Sequence, residues 1–196
     1  MSKNDRNSLN YNFDRNIDYE IMNKQLTQDL KSLFKEIKIS SSISKVKAMS
    51  NIIIAITQLR NGSRISESIE ALELFMNDLT LKTAIITIAK RKDEARRELL
   101  LPKEVKKEML EYLINYKVID FNNKLKVQNK VRDYLNKYYD SNTHSLRYAT
   151  INKLVDDGIQ LNIVSKLVGH KNLNQIMSYT QNKKVKNVLE KLQNNK

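Results

Sequence analysis

The sequence contains two histidines, and both fall in its last third. One sits in Thr143-His144-Ser145-Leu146-Arg147 and the other in Leu167-Val168-Gly169-His170. Arg147 stands three positions after His144, so on a helix the two share a face. His170 follows Arg147 by 23 positions, and Tyr179 follows His170 by nine. Far upstream, Gly62-Ser63-Arg64-Ile65-Ser66-Glu67 supplies a second arginine at a helix start. Imidazoles exchange protons near neutral pH, guanidinium forks hold phosphate or carboxylate oxygens, and a phenol oxygen can serve as a covalent nucleophile. Taken singly these residues say little. A lone histidine is more often structural, and Tyr179 is one of nine tyrosines, placed at the end of an ordinary stripe of Leu173, Ile176 and Met177.

The elements that must carry these residues are mostly helical. Met22, Leu26, Leu30, Leu33, Phe34 and Ile37 recur at the 3.6-residue period. Ser40-Ser41-Ser42 breaks that helix and can cap the next. The next helix, over 43–60, is apolar nearly all round and should lie at the centre. Asn61-Gly62 is a turn signal, followed by a short helix with Ile65, Ile69, Leu72 and Met76 on one face. Thr83 to Ala89 reads as a strand, with Arg96 to Leu101 as its partner and a charged loop between. Pro102 suits the first position of a new helix, striped by Val105, Met109, Tyr112 and Leu113. A further helix over Lys124–Tyr139 points Val127, Val131, Leu135 and Tyr138 inward. Ser145 to Tyr179 reads as three short helices. Gly158 ends the first, and Gly169 ends the second, which Ile163, Val164, Leu167 and Val168 line. The expected fold class is mainly α with one small antiparallel β-hairpin.

Composition narrows the partners. The 196 residues carry a net charge of +13, spread along the chain instead of gathered in one tail. A solvated basic surface and a polyanion partner both fit that charge. No apolar run approaches the roughly 18–20 residues of a membrane span, and the polar N-terminus does not read as a secretory signal. The absence of cysteine excludes disulfides and thiolate metal sites. No His/Asp/Glu cluster has metal-ligand spacing, and no glycine loop of the phosphate-cradling kind occurs.

Two stretches carry a family resemblance. The run Gln58-Leu59-Arg60-Asn61-Gly62-Ser63-Arg64-Ile65-Ser66-Glu67-Ser68-Ile69-Glu70-Ala71-Leu72 resembles the first box of the tyrosine recombinases, where a glycine turn presents an arginine followed by a glutamate. Thr143 to Tyr179 resembles the second box: His-x-x-Arg, a helix ending in glycine, Leu-x-Gly-His, and a tyrosine nine residues on. Every one of those positions is filled, and the two boxes stand in the right order.

The resemblance implies the tyrosine-recombinase catalytic-domain fold, in a small member similar to the fimbrial invertases or Xer recombinases. It implies site-specific DNA recombination (integration, excision, inversion or resolution) through a 3′-phosphotyrosyl intermediate. Tyr179 would be the nucleophile. Arg64 and Arg147 would stabilise the pentavalent phosphorane, which is more negative than the ground-state phosphate. His144 matches the family's proton-handling position and His170 its phosphate-bonding position. The acid for the departing 5′ oxygen would be a lysine on the hairpin: Lys90 by position, with Lys92 as the alternative. Glu67 would orient a neighbouring arginine or backbone groups. No cofactor or metal is implied. The implied partners are double-stranded DNA, further copies of the chain as a dimer or tetramer on DNA, and an accessory DNA-bending protein in some reactions. The implied location is cytoplasmic, on DNA.

The expected organisation is a basic tail over 1–18, a catalytic domain over 19–182 and a C-terminal helix over 183–196 able to dock on a neighbouring protomer. The stretch before the first box is too short for the separate helical clamp that most relatives carry, and Lys3, Arg6 and Arg15 could contact phosphates instead. Two other functions fit part of the pattern. A helix-turn-helix regulator, with Gly158 in the turn, explains the charge but not the spacing of Arg64, the histidines and Tyr179. A type IB topoisomerase-like activity would use the same chemistry to relax DNA.

Overall fold

A computed structural model describes residues 17–88 and 94–169. Helix α1 (Tyr19–Ile39) begins where the Asp18 carboxylate accepts the backbone N–H of Ile21 at 2.9 Å. Its stripe of Met22, Leu26, Leu30, Phe34 and Ile37 is buried. Ser40 ends it, and the Ser42 hydroxyl caps α2 (Ile43–Asn61) by accepting from Lys45 N. Residues Ile52 to Ile56 and Leu59 are all buried, because α2 packs against α1, α3, α4, α5 and α6. Fully burying such an isoleucine stabilises by about 1.5–3 kcal/mol, so this helix is the axis of the core.

Helix α3 (Ile65–Asn77) leads to a two-stranded antiparallel sheet, β1 (Thr83–Thr87) and β2 (Arg96–Leu100). Thr83 pairs with Leu100 and Ile86 with Arg97. The expected strand to Ala89 is shorter as a ladder, though Ile88 N still donates to Ala95 O at 2.8 Å. Helices α4 (Lys107–Tyr116), α5 (Lys124–Tyr139), α6 (Thr143–Asp156) and α7 (Leu161–Val168) follow. The α6–α7 pair carries a small second cluster of Tyr148, Ile151, Val155, Val164 and Val168. The architecture is mainly α with a small β-hairpin, as the sequence predicts.

Three local expectations are corrected. Pro102 does not open a helix: Leu101 N still bonds Lys82 O, the Pro102 carbonyl accepts from Val105 N in a turn, and α4 starts at Lys107. On α5 the inward aromatic is Tyr139, four residues after Leu135, whose hydroxyl donates to Asp29 at 2.8 Å; Tyr138 is 55% exposed beneath Lys137. On α7 the packed face is Val164, Ser165 and Val168, while Ile163 and Leu167 stay about half open. Lys90, Lys92, His170, Tyr179 and the C-terminal helix expected over 183–196 lie outside the described residues, as does all but the last two residues of the expected tail.

Candidate active site

The first arginine is presented by a sharp helix-to-helix turn. Gly62 caps α2 in the left-handed region, at φ 55°. A Cβ there would come within 2.9 Å of Val168 Cγ1 and 3.2 Å of Thr150 Cγ2, so only glycine lets α6 and α7 approach this closely. The buried Gln58 amide spans the turn, donating to Ser63 O at 3.2 Å and to Thr143 O at 2.7 Å. The end of α2 is thereby tied to the start of α6.

Arg64 stands at the N-cap of α3, and Glu67 one turn in. The Glu67 carboxylate accepts the Arg64 backbone N–H at 2.8 Å and the Arg64 guanidinium at 2.9 Å. It also accepts Arg97 Nη2 at 3.0 Å. Glu67 is wholly buried, where an unpaired carboxylate would be very costly, so these cations are part of the fold's balance.

Arg97 is a residue that sequence reasoning missed. It lies on the inward face of β2 with Leu99, between exposed Arg96 and Glu98. A strand's period of two puts Arg97 beside Leu99, and a cation on a core-facing position demands a counter-ion. That signal was present in the strand itself. Its Nη1 donates to the Leu167 carbonyl, at the end of α7. Burial pulls its basicity below the usual arginine range, with Glu67 opposing the shift and Arg64 adding to it.

Arg147 comes from the first half of α6, which the Asn142 side chain caps by accepting from His144 N and Ser145 N. The guanidinium is buried. Nη1 donates to Gly62 O and Nη2 to Val168 O, both at 2.7 Å. Burial first, and then Arg64, lowers its pKa to about 10. His144, one turn earlier, is exposed and sets its ring edge-on to Tyr148 at 4.5 Å between centroids.

These contacts form a closed ring. Arg64 meets Glu67, Glu67 meets Arg97, Arg97 and Arg147 meet the end of α7, and Arg147 returns to Gly62, two residues before Arg64. Within it three guanidiniums face one carboxylate, an excess that suits an anion. A cleft of about 240 Å³ opens beside it, lined by Arg64, His144, Arg147, Tyr148, Gln58 and Gln128 among others. The structure thus brings Arg64, Glu67, His144 and Arg147 together. The described chain ends at Gly169, immediately before His170.

A mainly helical domain with one β-hairpin, whose two arginine-bearing helix starts meet at a cleft, has the form of a tyrosine-recombinase catalytic domain. Residues 24–186 match the phage integrase family, and the chain belongs to that family. Family membership supports site-specific DNA recombination in general terms and the tyrosine-recombinase class of enzyme. Among similar proteins is one from Sputnik virophage, provisionally named an integrase, 33% identical over 91% of this chain and 89% of its own length. An uncharacterised protein of Methanocaldococcus jannaschii is 34% identical over 92% of this chain and 88% of its own. A protein of Acidianus two-tailed virus, again provisionally named an integrase, is 33% identical over 72% of this chain and 55% of its own. Among the described residues, no helix is long and apolar enough to cross a membrane.

Proposed function

We propose that the chain breaks and rejoins DNA at a specific site through a covalent link between Tyr179 and a 3′-phosphate. The Tyr179 oxygen attacks phosphorus, the bond to the 5′ oxygen breaks, and the phenolic proton passes to His144. The leaving 5′ oxygen takes a proton from Lys90, or from Lys92 if that lysine reaches further. Reversal with a different 5′ hydroxyl seals the exchanged strand, and the phosphodiester energy stays in the covalent bond throughout. Arg64, Arg147 and His170 hold the non-bridging oxygens, whose charge grows in the phosphorane. Glu67 orients Arg64. The substrate is double-stranded DNA, and exchange takes place between copies of the chain assembled on it.

The observation that carries this reading is the meeting of Arg64 and Arg147 beside His144, with positive charge in excess of the one buried carboxylate. A regulator that only bound DNA leaves the spacing of Arg64, the two histidines and Tyr179 unexplained. The test is covalent trapping. The full chain is incubated with a supercoiled plasmid library carrying random inserts, without metal or ATP, and protein-bound DNA is recovered under denaturing conditions. We expect adducts that map to one sequence and vanish in Tyr179→Phe. An adduct that persists in Tyr179→Phe would falsify the nucleophile, and specific binding with no adduct would favour a regulator. The recovered sequence then supplies a nicked suicide substrate for kinetics. Recombination between two plasmid copies of it, as against simple relaxation, separates strand exchange from topoisomerase-like activity.

A further inference from the structure

We propose that Arg97 is a positioning residue for this reaction, fixing the end of α7 from which the chain delivers His170. The inference rests on the recombinase reading above. Arg97 does not line the cleft and is only 8% exposed, so it acts through other groups.

Its two partners define what it does. The last carbonyls of a helix have no intrahelical donor and carry the negative end of the helix dipole. In α7 the Leu167 carbonyl is taken by Arg97 and the Val168 carbonyl by Arg147. Two cations from two different elements, β2 and α6, therefore grip consecutive peptide groups. The other end of Arg97 is held by Glu67, which also holds Arg64. Arg97, 70 positions before Leu167, thus relays the position of the first arginine to the end of α7.

Stability alone gives no reason for such an arrangement. A buried ion pair replaced by well-packed apolar groups is often as stable or more so, and the neighbouring inward position of the strand holds Leu99. The helix itself is weakly held: α7 is eight residues long, packs chiefly on α6, and leaves Ile163 and Leu167 about half open. The polar grip at its end adds two fixed hydrogen bonds to the packing of Val164 and Val168. His170 follows Leu167 by three positions in the sequence. Displacement of a catalytic group by about 1 Å can cost on the order of 100-fold in rate. Lysine could reach Glu67 or the Leu167 carbonyl, but it lacks the planar fork that takes both.

The test compares wild type, Arg97→Lys, Arg97→Gln and Arg97→Ala on the nicked suicide substrate, with DNA affinity and fraction folded measured for each. We expect adduct formation at saturating DNA to fall roughly 100-fold in Arg97→Ala, with affinity within about threefold of wild type, and Arg97→Lys to fall in between. Added ethylguanidinium should raise the rate of folded Arg97→Ala and leave wild type unchanged, which a purely structural lesion would not allow. Where Arg97→Ala does not fold, Arg97→Gln and Arg97→Lys carry the same comparison. A wild-type rate in any folded Arg97 variant lacking the guanidinium, or a loss wholly explained by weaker DNA binding, overturns the proposal. If wild type itself forms no adduct, the recombinase reading fails and this inference falls with it; a wild-type adduct with indifferent Arg97 variants sinks Arg97 alone.

Discussion

Arg147 Nη1 donates to the carbonyl of Gly62 at 2.7 Å, joining two residues 85 positions apart. This single bond locks the second arginine to the turn that presents the first. The Arg147 guanidinium is thereby fixed to backbone two residues before Arg64. Such preorganisation suits a site that must meet charge as it develops, since nothing has to move at the moment of reaction.

Arg147→Ala should both disarm and loosen the protein. Losing one fixed donor to a developing oxyanion costs on the order of 100- to 1000-fold in rate, measured as adduct formation on the suicide substrate. The Gly62 and Val168 carbonyls also lose their donor, at about 1–3 kcal/mol each if they stay dry, visible in a urea melt. Arg147→Lys should recover part of the stability and little of the rate, because one ammonium cannot replace the fork. Full activity in Arg147→Lys would count against the phosphate contact.

Gly62→Ala tests the backbone side of the same bond. The left-handed φ of 55° strains any L side chain, and the new methyl would meet Val168 Cγ1 at 2.9 Å. We expect a loss of about 1–3 kcal/mol in thermal or chemical unfolding, with adduct formation reduced beyond what the unfolded fraction explains. Unchanged stability would show that α7 can withdraw freely from the turn.

Glu67→Gln keeps the shape and removes the charge that two arginines share. Breaking a buried ion pair from one side typically costs about 3–5 kcal/mol, because Arg97 would be left buried without its counter-ion. Adding Arg97→Met to Glu67→Gln should restore much of the stability and none of the activity. If Glu67→Gln melts like wild type, the carboxylate is not the counter-ion that Arg97 depends on.

Inorganic phosphate or sulfate should stabilise the protein saturably. Burial holds the Arg147 pKa down to about 10, below the usual arginine range, so the fold carries its charge at a cost at every pH below about 10, and relief comes only as pH rises beyond that. An anion in the cleft offsets that cost at neutral pH. The expected melting shift saturates with anion concentration and is lost in Arg64→Ala. A shift linear in salt and equal in both proteins would be the general salting-out effect only.

Tyr139 predicts an alkaline limb to stability. Burial first, then its bond to Asp29, holds its pKa well above the usual tyrosine value of 10. Folding thus favours the neutral phenol. That contribution is fully present below pH 10 and declines as pH rises further, where the unfolded tyrosine ionises and the folded one does not. Tyr139→Phe should cost about 0.5–1.5 kcal/mol at neutral pH and flatten the decline above pH 10 in urea titrations. An unchanged alkaline slope would place its origin elsewhere.

Much of this was legible in the residues themselves. The 3.6-residue stripe of α1, the all-round apolar character of α2, the turn at Gly62, the hairpin and the cap at Gly169 are local matters of propensity and steric freedom, which the chain states in order. The two boxes carry the resemblance to the family, and the family match over residues 24–186 bears it out. Tertiary structure decided where charges settle. Arg97 shares a strand face with Leu99, but only packing brings it to Glu67, 30 positions away, and to the Leu167 carbonyl. Tyr139 and not Tyr138 turns inward because Asp29 of α1 waits there to accept its hydroxyl. Pro102 fails to start a helix because the strand ladder still holds Leu101. Periodicity reports which face of an element is apolar. Which partner a buried polar group finds depends on distant segments meeting in space, and no local pattern encodes that meeting.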